Sequence, residues 1–173
     1  MLLPLRLRAV ERLTLAALYL ALFAPPALSR SDDRDKPLDV QAGGLDGVMT
    51  QDGETHFTDL TITQGSLRID AEHATVTRRQ GEVTRVLLKG RPAALQQEND
   101  EGQLMRARAQ QIVYDTDTEI VVLSGAVQVE QGRDTFRGEQ VRYDTRSGHI
   151  QGDGGQGGRI HLTIQPKPRA AGG

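Results

Sequence analysis

The sequence predicts an all-β domain over residues 37–165, whose long strands bend at corners and wrap two sheets around one core. Three observations point to it. Apolar and polar residues alternate at period two along several short segments. One strand–turn–strand unit recurs along the chain. Within each copy the apolar phase slips by one residue beside a small side chain, as it must where a strand turns a corner.

The chain opens on Arg6, Arg8 and Arg12, followed by the apolar run Leu13 to Ala24, the breaker Pro25-Pro26, and Ala27-Leu28-Ser29 with small residues at the −3 and −1 positions of a candidate cut. This is the layout of a secretory signal peptide, residues 1–29, expected to be removed after Ser29. The run falls short of the ~20 apolar residues that span a bilayer. An uncleaved anchor is the alternative. Residues 30–36 then make a charged, mobile N-terminus, and Leu38 to Gln41 a first strand.

The repeat begins at Leu60-Thr-Ile-Thr-Gln-Gly65, which aligns with Val127-Gln-Val-Glu-Gln-Gly132. The match runs on without a gap from Ser66–Val76 to Arg133–Tyr143, and Met105–Tyr114 is a middle copy. Leu60 and Ile62 alternate with Thr61 and Thr63, and Gln64-Gly65 signals the turn. Leu67 and Ile69 follow in phase, but Ala74 and Val76 take the opposite parity. Val141 and Tyr143 slip likewise relative to Phe136. Ala71, Ala109 and Gly138 stand at the slip in the three copies, where small residues suit a bend.

Further strands are expected at Val83 to Leu88, Ala93 to Gln96, Glu119 to Leu123 and Arg159 to Ile164. Asp52-Gly53 and Ser147-Gly148 are hairpin-turn candidates. Residues 152–158 read as a Gly-rich mobile loop and 166–173 as a tail. Repeated strand pairs suit a jelly roll or a roll-like sandwich, with a parallel β-helix as competitor. The turn-sized gaps favour antiparallel hairpins.

Composition narrows the function. Aromatics are only 3% of the chain, so any core is built mainly from Leu, Ile, Val and Ala. Without residues 1–29, the 21 basic and 23 acidic residues fall to 18 and 22, a net charge of about −4. That argues against a general nucleic-acid surface. There is no cysteine, so no disulfide, thiolate nucleophile or Cys-based metal site.

The residues of chemical interest have plainer readings. Gly152, Gly154 and Gly157 fit a bare G-x-G-x-x-G, but a strand follows where a dinucleotide site needs a helix. Asp115, Asp117 and Glu119 begin like a calcium loop, yet Ile120 stands where its glycine belongs. His56, His73, His149 and His161 are scattered. Glu72, Gln110 and Glu139 recur with the repeat, as structural or surface residues would. Arg68, Arg78, Arg79, Arg85 and Lys89 read as outward strand residues. No catalytic, metal or cofactor site is expected, and no enzymatic activity.

The repeats resemble the OstA-like family. Thr58 to Arg78 looks like that family's first full repeat, and Lys89-Gly-Arg-Pro-Ala93 and Val121-Val-Leu-Ser-Gly125 match its later landmarks. The similarity covers roughly residues 37–164. It implies a bent antiparallel β-jelly roll with an apolar slot between its two sheets that holds lipid acyl chains, in a periplasmic protein that binds lipopolysaccharide and passes it toward an outer-membrane translocon. It implies an LptC-like inner-membrane partner, an LptD-like outer-membrane partner and head-to-tail self-association, bridging the two membranes. Alternatives are a membrane-anchored LptC-like relative of the same fold and a structural β-domain without lipid.

On this reading the slot lining is Leu38, Val40, Leu60, Ile62, Ile69, Val76, Leu88, Leu95, Ile112, Tyr114, Leu123, Val129, Phe136 and Tyr143. Each also suits an ordinary sandwich core. The resemblance further implies that Leu38 and Val40 lie on the edge strand facing the inner-membrane partner. Ile160, Leu162 and Ile164 would lie on the edge facing the next copy or the outer-membrane partner.

Overall fold

The computed structural model describes residues 32–144, 146–147 and 149–164. The expected signal peptide and the 166–173 tail lie outside the described residues. Ten strands follow in order: β1 (Asp39–Gln41), β2 (Gly44–Gly47), β3 (Gly53–Gln64), β4 (Leu67–Arg79), β5 (Glu82–Glu98), β6 (Leu104–Asp115), β7 (Ile120–Gln131), β8 (Asp134–Asp144), β9 (Ile150–Asp153) and β10 (His161–Thr163). They form one sheet in the order β1-β3-β4-β5-β6-β7-β8-β10, with β2 also on β3 and β9 also on β8. Every pairing is antiparallel, which removes the parallel β-helix.

The two expected sheets are the halves of this one sheet, folded across a row of corners. Registers break between Asp70 and His73, Lys89 and Ala93, Arg108 and Gln111, and Ser124 and Val127. Between β3 and β4 the pair Asp59–Glu72 is skipped with no change of register, because both strands slip phase together there; Asp59 has φ 50°. An extra residue bends its strand and shifts its inward phase. Burial follows the slip: Leu67, Ile69 and Ala71 are buried on one side of it, Ala74 and Val76 on the other. Glu72, Gln110 and Glu139, the recurring polar position, fall within these breaks and are not buried.

Two differences from the sequence reading have the same cause. Val83–Leu88 and Ala93–Gln96, expected as separate strands, are one strand, β5, which turns its corner through Gly90 and a cis Arg91–Pro92 bond. The strand expected from Glu119 to Leu123 begins at Ile120 and likewise joins Val127–Val129 as β7, turning at Gly125 (φ 80°) and Ala126 (φ 49°). The breakers mark corners, not ends.

The outer strands bend too, but are interrupted. β2 pairs with Thr55–Thr58 and β1 with Thr61–Thr63, so together they run along β3 on both sides of its corner. Gly43 donates to the Thr58 carbonyl at 2.8 Å between them. β9 and β10 border β8 in the same way. The expected Gly-rich loop overlaps the end of β9; the excursion from 154 to 160 sits at this corner, closed by Gly158 N–H to the Gly155 carbonyl at 3.2 Å.

The core lies between the halves. Ile69, Leu88 and Ile112 are at most 1% exposed. Each such side chain contributes roughly 1.5–3 kcal/mol by leaving water. Within the 30–36 segment, expected as a mobile lead-in, Asp33–Asp35 form a 3-10 turn. Asp33 is buried and accepts a hydrogen bond from the Ser66 amide at 3.0 Å and another from its hydroxyl.

Candidate functional site

An apolar cavity of about 460 Å³ opens beside the N-terminal edge of the roll. Its position follows from the edge strands. β1 and β2 are short and lie only against β3, so they cover the inner face incompletely. Val40 stands directly opposite Ile62 and so shares its inward face, yet it is 45% exposed while Ile62 is 2% exposed. Leu45 stands opposite Phe57 in the same relation.

The lining comes from successive elements: Leu38 and Val40 at β1, Leu45 and Met49 around β2, Phe57, Leu60 and Ile62 from β3, Ala74, Val76 and Arg78 from β4, and Val86 from β5. The β2–β3 turn is fixed by Thr55, buried, whose hydroxyl donates to the Val48 carbonyl at 2.6 Å. Among the described residues, Arg78 is the one ionisable side chain in the lining.

Of the fourteen residues expected to line a slot, the cavity gathers Leu38, Val40, Leu60, Ile62 and Val76. Ile69, Leu88, Leu95, Ile112, Tyr114 and Leu123 are buried among other core side chains farther along the roll. Val129, Phe136 and Tyr143 are partly buried against the core toward the opposite edge. Burial raises the Tyr114 pKa, with Glu119 and Asp115 adding to the effect; burial and then Asp144 raise that of Tyr143. Both phenols are therefore neutral at ordinary pH.

Leu45, Met49, Phe57, Val86 and Arg78 were missed in sequence. Phe57 carries a usable signal: it precedes the Asp59 slip and shares its phase with Thr55. Leu45 and Met49 sit in a Gly-rich stretch without alternation and give none.

The opposite edge is also open. Leu162 stands opposite Phe136 on the inner face and is 57% exposed; Ile160 and Ile164 beside it are exposed too. Phe136 reaches its place because position 152 is glycine; a Cβ there would lie 2.8 Å from the ring. The outer edges of β1–β2 and β9–β10 pair with no described strand. Such edges accept a further strand by backbone hydrogen bonding.

The other candidate chemistry resolves into local structure. Asp115 accepts from the Thr118 amide at 2.9 Å and hydroxyl at 2.7 Å, closing the β6–β7 turn. These bonds hold its pKa below the ordinary value. Among the described residues no group of three or more His, Asp or Glu is placed to hold a metal ion.

Comparison with known proteins agrees with this architecture. Residues 46–149 match the family described as LptA/(LptD N-terminal domain) LPS transport protein. The lipopolysaccharide export system protein LptA of Escherichia coli K12 is 27% identical over 143 residues, 82% of this chain and 77% of that protein. LptH of Pseudomonas aeruginosa, another lipopolysaccharide export system protein, is 29% identical over 159 residues, 87% and 91% of the two chains. The crystal structure of LptH, described as the LptA-homologous periplasmic component of the conserved lipopolysaccharide transport device, superposes with a TM-score of 0.65. It shares 27% identity and covers 78% of this chain and 99% of that one.

Proposed function

Because the chain belongs to the family of LptA and the LptD N-terminal domain, we propose that it binds lipopolysaccharide in the periplasm and passes it toward the outer membrane. The observation that carries this reading is the apolar cavity, which meets solvent where the N-terminal edge is incompletely covered. An acyl chain gains roughly 0.8 kcal/mol for each methylene buried. The sugars and phosphates stay in water at the mouth, because moving them inside without partners is costly.

The proposed lipid path starts at Leu38, Val40, Leu60, Ile62 and Val76 and leaves past Val129, Phe136 and Tyr143. The closed middle of the roll, with Ile69, Leu88, Leu95, Ile112, Tyr114 and Leu123, has to loosen for a chain to pass between the two ends. The protein performs no chemistry on the lipid. Its edges supply the connections: an LptC-like inner-membrane partner extends the β1–β2 edge, and a second copy or an LptD-like outer-membrane partner extends β9–β10. Strand addition end to end makes a bridge across the periplasm. The leader 1–29 delivers the protein there, and residues 37–165 act as the lipid-carrying domain.

Retention on immobilised lipopolysaccharide tests the reading. The protein is retained and is eluted by free lipopolysaccharide but not by lipid-free polysaccharide. Passage of the folded protein without retention contradicts it.

A further inference from the structure

The structure points to Arg78 as the residue that recognises the anionic head of the lipid: we propose that its guanidinium binds a headgroup phosphate at the cavity whose apolar walls hold the acyl chains. The inference rests on the functional reading above and adds to it a specificity determinant.

Arg78 continues the parity of Ala74 and Val76 at the end of β4, and all three line the cavity. It is partly buried, and among the described residues the remaining lining contains no carboxylate. Its backbone is part of the sheet, but among the described residues no hydrogen bond or ion pair reaches its guanidinium. The nearby carboxylates are engaged elsewhere. Glu54 accepts from the Thr77 hydroxyl at 3.4 Å and lies 3.8 Å from His56, while Asp52 accepts from the Gly81 amide at 3.1 Å. By contrast, Arg68, Arg91 and Arg146 each have a carboxylate partner.

A partly buried cation without a counter-ion costs free energy that an ion pair offsets. The ligand that supplies the pair here must be apolar enough for the walls and carry an anion beside its chains. A phosphorylated acylated sugar has this form. Arginine suits the task better than lysine, because its planar fork meets phosphate oxygens through two parallel hydrogen bonds.

The test is equilibrium binding of radiolabelled bisphosphorylated lipid A, and of the same lipid A after phosphatase treatment, to the protein and its R78Q and R78K variants. Thermal melts check that each variant is folded. The protein with Arg78 binds the phosphorylated lipid about tenfold more tightly than the dephosphorylated one, the weight of one charge-assisted contact. R78Q abolishes this preference, so that it binds the two lipids alike, and R78K keeps part of it. An undiminished preference in R78Q overturns the role of Arg78, as does an equal loss for both lipids. Failure of the unmodified protein to bind either lipid overturns the functional reading itself.

Discussion

Asp33 accepts hydrogen bonds from both the amide and the hydroxyl of Ser66, and so ties the N-terminal turn to the β3–β4 hairpin. The Ser66 hydroxyl in turn accepts from the Glu98 amide at 3.0 Å, which brings β5 into the same joint. A Cβ at position 65 would lie 2.1 Å from Asp33 Oδ1, so Gly65 is what lets the carboxylate approach. Asp33→Ala should therefore destabilise the fold by about 1–3 kcal/mol, the cost of leaving the partly buried Ser66 donors without their acceptor. Urea denaturation measures it; an unchanged midpoint would mean that the joint is incidental.

The corners make a second prediction. At Gly125 the backbone has φ 80°, and a Cβ would lie 2.6 Å from Gln110 Oε1 and 2.9 Å from Gln110 Cβ. Gly125→Ala should cost about 1–2 kcal/mol or more from the left-handed backbone alone. Its neighbour Ala126 already holds φ 49° with a side chain. Ala126→Gly should be close to neutral, because relief of that strain opposes the added chain entropy. Opposite shifts from these in the urea midpoints would contradict the corner account.

Core and cavity should separate by stability. Ile112 is 1% exposed, and Ile112→Ala should cost about 2–5 kcal/mol. Val40, 45% exposed at the edge, should cost under about 1 kcal/mol when cut to alanine. Yet Val40→Ala should weaken retention on lipopolysaccharide. Equal destabilisation by both substitutions would show that the N-terminal edge is part of the dry core.

The acid behaviour of the β6–β7 turn follows from Asp115. Its pKa is lowered first by the Thr118 hydroxyl and then by the Thr118 amide. A carboxylate held below its unfolded value stabilises the fold above that value, 3.8, and loses the contribution as pH falls through the lower folded value. Asp115→Asn should therefore be less stable than the unaltered protein at about pH 6, and the difference should close as pH falls through the lowered value of Asp115. A difference that persists in strong acid would assign the effect to packing instead.

Much of the roll was legible because its long strands alternate: Leu60 and Ile62, or Val127 and Val129, announce an inward face. The phase slips at Ala71, Ala109 and Gly138 announced the bend. β2 and β9 were not legible, since Gly44–Gly47 and Ile150–Asp153 carry no alternation and become strands by pairing with β3 and β8. Gly90 and Pro92 looked like ends because breakers at a corner and at a terminus read alike. For the site, parity identified Leu60 and Ile62 as inward but equally identified Ile69 and Leu88. Whether an inward side chain meets a cavity or another side chain depends on how far β1 and β2 cover it, which local sequence does not encode. Arg78 was read as outward because a charged residue usually is.

The measurement that tests the central claim most directly is photo-crosslinking to purified lipopolysaccharide. The probe is placed at Ile62, which faces the cavity, with a control at Thr61, whose hydroxyl donates to Asp70 at 2.9 Å away from the cavity lining. The account predicts an adduct from Ile62 and none from Thr61. A folded protein that yields no adduct at Ile62, Leu95 or Phe136 would contradict it and leave a β-roll that does not carry lipid inside.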